Sequence, residues 1–355
     1  EARGMSEIKV SIIVPAYNVE KYLGVCLGSL VGQTLQELEV LVVNDGSTDG
    51  TQAVIEDYEA RYPGKVKGFF QQNEGPSKAR NLALKHASGK YIGFVDSDDQ
   101  AEPAMFEKMV ALAEKEAADL VLCGETNVSE ESNTPVSSQM PPVITATTSI
   151  FQTKGLLSNS TSVWWNKLFR RQIIESHRFS FNEDIHYAED ALFVYPYLLY
   201  AQRVCSIREP LYRYTVKRAG SITGAMDERM LHEVTACEEL TKFYISTGHF
   251  EEFQGDLLQI CAGFWGRKFY NFHRYPGKKA TYDRFVSEFY DFLSRYYSDW
   301  KQCLRAYGTN GSRRKYRINF YKTNRVLARC YIYAPSGLIR FLRNTKQALR
   351  SQPKE

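Results

Sequence analysis

Four short strand-like runs, KVSIIVP (residues 9–15), nearly unbroken in β-branched residues, LEVLVVND (38–45), KVKGFFQQN (65–73) and KYIGFVD (90–96), recur with an amphipathic segment in each gap. A fifth run, DLVLCG (119–124), follows after one more such segment. This alternation constrains the chain more than any other feature. Runs with little polar alternation suit strands buried on both faces. Strands that alternate with helices predict an α/β fold, a mostly parallel sheet flanked by helices. The spacing predicts helices over VEKYLGVCLGSLVGQ (19–33), GSTDGTQAVIEDYEARYP (46–63), PSKARNLALKHASG (76–89) and PAMFEKMVALAEKEAA (103–118). Asp49 is the expected N-cap of the second helix and Pro63 its stop, while Pro76 suits the first turn of the third.

In such sheets ligands bind beyond the carboxyl ends of the strands. The polar clusters of this sequence fall there: Tyr17-Asn18 after the first strand, Asp45 after the second, and Asp96, Asp98 and Asp99 after the fourth. The stretch YIGFVDSDDQ (91–100) runs an apolar strand directly into three carboxylates. Clustered like charges repel and a buried unpaired carboxylate is costly, so a cation is expected among them. The sequence holds neither a GxGxxG loop nor a GxxxxGK[ST] loop. That argues against a dinucleotide oxidoreductase and a P-loop enzyme. With no glycine cradle, a bound phosphate needs a metal or basic side chains, and carboxylate oxygens suit Mg²⁺ or Mn²⁺.

Beyond the fifth strand, residues 126–149 are rich in Ser, Thr, Pro and Asn and read as a loop. WWNKLFRRQII (164–174) and AEDALFVYPYLLY (188–200) read as helices, and from about residue 226 the pattern is helical and aromatic. A chain of 355 residues fits one large α/β unit with an appendage, or two domains. The seven cysteines form no CxxC pair and no metal-ligand spacing with histidine. They read as small buried hydrophobes in a reducing cytosol. No signal peptide or apolar run of membrane-spanning length is expected, and Glu1–Gly4, ahead of Met5, read as an expression remnant. Of the 45 Lys and Arg, 14 lie in residues 301–354, where there is no Asp or Glu. The first 300 residues therefore carry 31 basic against 40 acidic side chains.

Taken together, VSIIVPAYNVEKYLGVCLGSL, VVNDGSTDGT, NEGPSKARN and YIGFVDSDD resemble the inverting family 2 glycosyltransferases, which have the GT-A fold. The resemblance is close over residues 8–125 and looser to about 215. It implies a glycosyltransferase domain over 5–215, with a nucleotide-sugar half (5–125) and an acceptor half (126–215), and a mainly helical region over 216–355. The resemblance also implies roles. Pro15 and Tyr17 line the nucleotide site, Tyr17 stacking on the base. Glu20 touches the ribose or favours the helix dipole as a first-turn carboxylate. Asp45 accepts a hydrogen bond from uracil, making the donor a UDP-sugar, and also forms the NDGS turn. Arg80, with Lys78, reaches the donor diphosphate or ribose, the alternative being a solvated helix face. Asp96 holds the ribose or a metal-bound water. Asp98 of the DxD triplet binds the Mn²⁺ or Mg²⁺ that bridges the donor phosphates. Asp99 is the second metal-site residue, orienting the shell or flanking the next helix. In HYAEDALF, Asp190 is the base and Glu189 its partner, the alternative being helix N-terminal carboxylates. Trp164, Trp165 and Lys167 form an acceptor platform or belong to the core. His186 is not counted as catalytic.

The expected function is metal-dependent, inverting sugar transfer from a nucleotide-sugar to a glycan or lipid-linked hydroxyl in cell-surface polysaccharide assembly. A nucleotidyltransferase would need a Gly- and Arg-rich loop where PAYNVEKY stands, and a non-catalytic binding protein would not need the ED pair. The basic end reads as a surface for the anionic inner leaflet, as a nucleic-acid stripe, or as a helix pair packed on the acidic body. The first is favoured and nucleic acid is not expected. That places the protein in the cytoplasm with peripheral contact at the inner membrane face.

Overall fold

The computed structural model describes residues 7–144, 147–216, 228–271 and 279–297. The basic end, 301–354, lies outside them. The described residues fall into two compact units, one up to Val216 together with Thr235–Gly248, the other Glu228–Val234 and the helices from His249 onward.

The first unit is built on a nine-stranded sheet. Its strands are β1 (Val10–Ala16), β2 (Leu38–Asp45), β3 (Val66–Gln71), β4 (Tyr91–Phe94), β5 (Gln100–Ala101), β6 (Leu120–Ser129), β7 (Pro135–Gln139), β8 (Lys167–Arg170) and β9 (Val204–Val216). The spatial order is β3-β2-β1-β4-β8-β6-β9-β5, with β7 on β6. The helices are α1 (Glu20–Val31), α2 (Thr51–Arg61), α3 (Pro76–His86), α4 (Met105–Lys115), α5 (Leu156–Asn159), α6 (Arg171–Ser176) and α7 (Glu189–Tyr200). From β3 to β4 all pairings are parallel, as the alternation predicts. Beyond β4 the sheet turns mixed: β8 runs antiparallel to β4 and β6, and β9 parallel to β6.

Successive strands move outward from β1 to β2 and β3, then the chain crosses back to place β4 on the other side of β1. Ligand crevices form at such reversals, beyond the carboxyl ends of the strands. Pro15 contributes to the opening. Ile13 accepts from Val95 N at 3.0 Å, and two residues on, Pro15 has no N–H to continue that ladder. β1 and β4 separate from this point.

Two predicted elements differ from the expectation. WWNKLFRRQII is not one helix: Lys167–Arg170 is the strand β8 and only Arg171–Ser176 is helical. The apolar spacing fits a helix, but Leu168 and Phe169 gain more by pairing between β4 and β6, where both are buried. The expected loop over 126–149 contains the end of β6 and all of β7. The N-cap of α2 is Gly50 rather than Asp49, although the Asp49 carboxylate accepts from Thr51 N at 3.0 Å and so still satisfies a first-turn donor.

All five described cysteines are buried. A 3₁₀ turn at Glu228–Leu231, in the second unit, leads into α8 (His232–Ser246), whose residues from Thr235 on belong to the first unit; α9 (Phe250–Asn271) and α10 (Lys279–Tyr296) belong to the second. α10 buries Tyr282, Phe285, Phe289 and Phe292, a stripe at helical spacing. No described helix is long and apolar enough to cross a membrane.

Candidate active site

Each polar cluster at a strand end is held by backbone it does not adjoin in sequence. After β1, Tyr17 is 46% exposed. Asn18 follows in the left-handed region (φ 51°), and its side-chain oxygen accepts from Thr48 N at 2.8 Å. Glu20, the first residue of α1, accepts from Gly50 N at 2.5 Å. Its carboxylate thus ties α1 to the turn after β2.

Asp45 ends β2 and is buried. One carboxylate oxygen accepts from Gln71 Nε2 (2.7 Å) and Glu74 N (2.9 Å), the other from Gly75 N (2.9 Å). A carboxylate offers about four acceptor positions, so one remains for a ligand donor. Gly46 (φ 73°) makes the turn: a Cβ there would stand 2.6 Å from Asn73 N.

The Asp96–Asp99 segment is a tight turn closed by Asp99 N donating to Asp96 O at 3.0 Å. β9 holds it from the side. Tyr212 Oη accepts from Asp96 N (3.1 Å) and donates to Asp99 Oδ2 (2.8 Å), while Thr215 N donates to Asp99 Oδ1 (2.7 Å). Thr215 Oγ1 also binds Asp98 O at 2.8 Å. Trp165 stacks on both Tyr212 (4.5 Å) and Tyr214 (5.4 Å). Asp99 is therefore a buried carboxyl with both oxygens engaged by protein. Burial, together with the charges of Asp98 and Asp96, holds it well above the usual carboxylate range. It orients the turn. The helix-flank reading of Asp99 is corrected, because β5 intervenes before α4 begins at Met105. Asp96 and Asp98 are partly exposed.

Opposite this turn lies the first turn of α7. Ala188 precedes it in the left-handed conformation (φ 64°), a strained setting that aims Glu189 and Asp190. Asp190 Oδ2 accepts from Ser162 Oγ at 2.6 Å. Arg80, on α3, joins the two halves. Its Nη2 lies 3.2 Å from Asp96 Oδ1 and its Nη1 3.7 Å from Glu189 Oε1. The guanidinium stacks 3.9 Å over Trp164. At 5% exposure Arg80 is buried, so the solvated-face reading is corrected. Burial pushes Glu189 up to about 7, with Asp190 adding to the rise and Arg80 opposing it. Lys78, on the same helix, pairs with Glu74 at the rim.

The acceptor-platform reading of Trp164, Trp165 and Lys167 is also corrected. Both indoles are 6% exposed and Lys167 is fully buried, so all three belong to the core beneath the crevice. His186 packs beside Gly75.

Residues 11–178 match the model of the family described as Glycosyl transferase family 2. The uncharacterized glycosyltransferase EpsJ of Bacillus subtilis is 38% identical over 236 residues, which cover 64% of this chain and 68% of that protein. The chain belongs to the family 2 glycosyltransferases. The poly(ribitol-phosphate) β-N-acetylglucosaminyltransferase TarS of Staphylococcus aureus is 33% identical to it over 220 residues, 60% of this chain and 36% of TarS. A crystal structure of S. aureus TarS 1–349 in complex with UDP-GlcNAc shares the fold, with a TM-score of 0.68 at 24% identity over 91% of both chains. A complex of the same TarS fragment with UDP aligns with a TM-score of 0.66.

Three residues of this glycosyltransferase's site carry no signal in the sequence. Ser162, Tyr212 and Thr215 reach the carboxylates from a loop and a strand far away in the chain, and only the tertiary fold brings them there.

Among the described residues no group of three or more His, Cys, Asp or Glu side chains is placed to hold a metal by itself. The residues at the crevice still fit a divalent cation of the Mg²⁺ or Mn²⁺ kind. Such ions are commonly held by one or two carboxylates, with phosphate oxygens and water completing the shell. Asp98, on a turn braced from two sides, offers such a carboxylate, with Asp96 beside it.

Proposed function

We propose that this glycosyltransferase moves a sugar from a UDP-sugar, with inversion, to a hydroxyl of a glycan or lipid-linked acceptor during cell-surface polysaccharide synthesis. The observation that carries the reading is Arg80. It spans the Asp96–Asp99 turn and the Glu189–Asp190 pair at the point where β1 and β4 part, so a donor-holding group and a proton acceptor face one crevice. The complexes of TarS with UDP and UDP-GlcNAc support the uridine donor, and the poly(ribitol-phosphate) on which TarS acts supports a cell-surface polymer setting.

On this reading Tyr17, beside Pro15, stacks on the base, and the remaining acceptor position of Asp45 takes the uracil N–H. Glu20 keeps the Asn44–Gly50 turn in place next to the ribose. Arg80, with Lys78 at the rim, offsets donor charge, and Asp96 faces the ribose. Asp98, oriented by Asp99, would hold the divalent cation, which when bound offsets charge on the leaving diphosphate. Asp190 takes the proton of the acceptor hydroxyl while that oxygen attacks the anomeric carbon from the face opposite the diphosphate. The C–O bond to phosphate breaks, and UDP leaves with the bonding pair. No covalent sugar–enzyme intermediate is needed. A cytoplasmic site of action follows from the nucleotide-sugar donor. Contact with the inner membrane face through residues 301–354 rests on their sequence alone.

The test is UDP release from a panel of UDP-sugars with Mn²⁺, using the full chain and Asp190→Asn. Release from at least one donor, lowered at least about 10²-fold in the variant, is expected for loss of a general base. An Asp190→Asn enzyme as fast as wild type would remove the base assignment, and release from no UDP-sugar would remove the donor.

A further inference from the structure

Lys167 is fully buried, yet none of its hydrogen bonds goes to a carboxylate. Its ammonium donates to Val163 O (2.6 Å), Asn166 Oδ1 (2.9 Å) and Thr161 Oγ1 (3.1 Å). An ammonium has three hydrogens, and all three close on the single loop that joins α5 to β8. Asn166 is held in turn, its Nδ2 donating to Glu125 Oε2 at 3.3 Å. Burial pushes Lys167 down to about 7, against the opposing pull of Cys123, Glu125 and Asp190. An apolar side chain would fill this space at lower electrostatic cost. What it would not do is fix the path of residues 161–166.

The other end of the loop is fixed from α7. Tyr195 Oη donates to Ser160 O at 3.2 Å, and Ser160 Oγ closes on Leu156 O at 2.8 Å. Between these two anchors stands Ser162, whose hydroxyl donates to Asp190 Oδ2 at 2.6 Å. The other oxygen of Asp190 accepts from Ala191 N at 2.7 Å. A carboxylate on the first turn of a helix has two side-chain torsions. The hydroxyl and the amide together hold them, so one direction of approach is presented to the crevice.

We propose that Ser162 and Lys167 are positioning residues for sugar transfer: Lys167 braces the 161–166 loop so that the Ser162 hydroxyl sets the orientation of the Asp190 carboxylate. This rests on Asp190 as the base. The proton of the acceptor hydroxyl passes to Asp190, and Ser162 keeps its own. Neither residue is among those assigned to the donor, so donor affinity is expected to be independent of both.

The experiment measures UDP release with Mn²⁺, water standing in for the acceptor hydroxyl, from whichever UDP-sugar of the panel the wild type turns over fastest, in the full chain and in Ser162→Ala, Ser162→Thr, Lys167→Met and Asp190→Asn. Calorimetric affinity for UDP is measured on the same proteins. Ser162→Ala is expected to lower kcat about tenfold or more, the scale of a misplaced reacting group, with KM and UDP affinity within about twofold. Ser162→Thr, which keeps a hydroxyl, is expected to recover most of that loss. Lys167→Met is expected to lower kcat similarly, with no further loss when combined with Ser162→Ala. If Lys167→Met does not fold, the Ser162 pair decides alone. Wild-type kcat in Ser162→Ala beside an inactive Asp190→Asn overturns the proposal and leaves the base assignment standing. Threonine as poor as alanine also overturns it. Full activity in Asp190→Asn, or no UDP release by the wild type, removes the parent reading and this proposal with it.

Discussion

Glu189 is a carboxyl group in a setting that disfavours its charge. Burial is the main cause, Asp190 adds to it, and the Arg80 guanidinium offsets only part, leaving the group near 7. An unfolded glutamate releases its proton near ~4.3. The folded chain therefore holds a proton that the unfolded chain has lost, and the sign follows. The contribution of Glu189 to stability is fully present below ~4.3 and is lost as pH rises through about 7. In Glu189→Gln this slope is expected to flatten in thermal unfolding measured across that window. An unchanged slope in the variant would contradict the assignment. Tyr212 offers a second residue-scale test. Its hydroxyl accepts from Asp96 N and donates to Asp99 Oδ2, so Tyr212→Phe leaves a buried amide and a buried carboxyl each short of a partner. A loss of about 1–3 kcal/mol of stability is expected by chemical denaturation, with weaker Mn²⁺-dependent UDP binding. Binding at wild-type strength would show that the turn does not need this brace.

Turns rather than strands carry the chemistry here, and one of them is set by a glycine. Gly46 has φ 73° and its α-carbon faces the backbone of Asn73, so Gly46→Ala adds both torsional strain and a clash at 2.6 Å. The cost is expected to be about 1–3 kcal/mol, measured by thermal unfolding. UDP affinity is expected to fall with it, because the Asn73 side of that contact belongs to the loop that Asp45 holds. Unchanged affinity would separate the loop from the base site. At this scale the sequence was legible wherever pattern and burial agree. Runs such as VSIIVPA and LEVLVVND are buried along almost their whole length, and nothing local competes with a strand reading. β8 was hidden because the apolar spacing of WWNKLFRRQII suits a helix as well, and only the open positions beside β4 and β6 decide the matter. β9 was hidden for another reason. VCSIREPLYRYTV mixes Arg and Glu among its apolar residues, and its pairing with β6 shifts register near Gly124.

For the molecule as a whole, the carboxylates were legible and their braces were not. Asp45, Asp96 and Asp98 stand out because charge at the end of an apolar run is unusual, and the Glu189–Asp190 pair was legible through the family resemblance. Their partners arrive over long loops, Tyr212 reaching Asp99 across 113 residues of sequence and Thr215 across 116. Such separations leave no local pattern to read. The same fold explains why three residues expected at the acceptor face, Trp164, Trp165 and Lys167, serve beneath it. The indoles support Arg80 and Tyr212, and the ammonium anchors a loop. What joins these parts is one claim, that the crevice between β1 and β4 binds a uridine diphosphate through Asp98 and a divalent cation. Calorimetric titration of UDP with Mn²⁺ into the wild-type chain and Asp98→Ala tests it most directly. Metal-dependent binding in the wild type, weakened at least about tenfold in the variant as expected for removal of a metal-binding carboxylate, is the predicted result. Equal binding by both proteins, or none by the wild type with or without Mn²⁺, would contradict it.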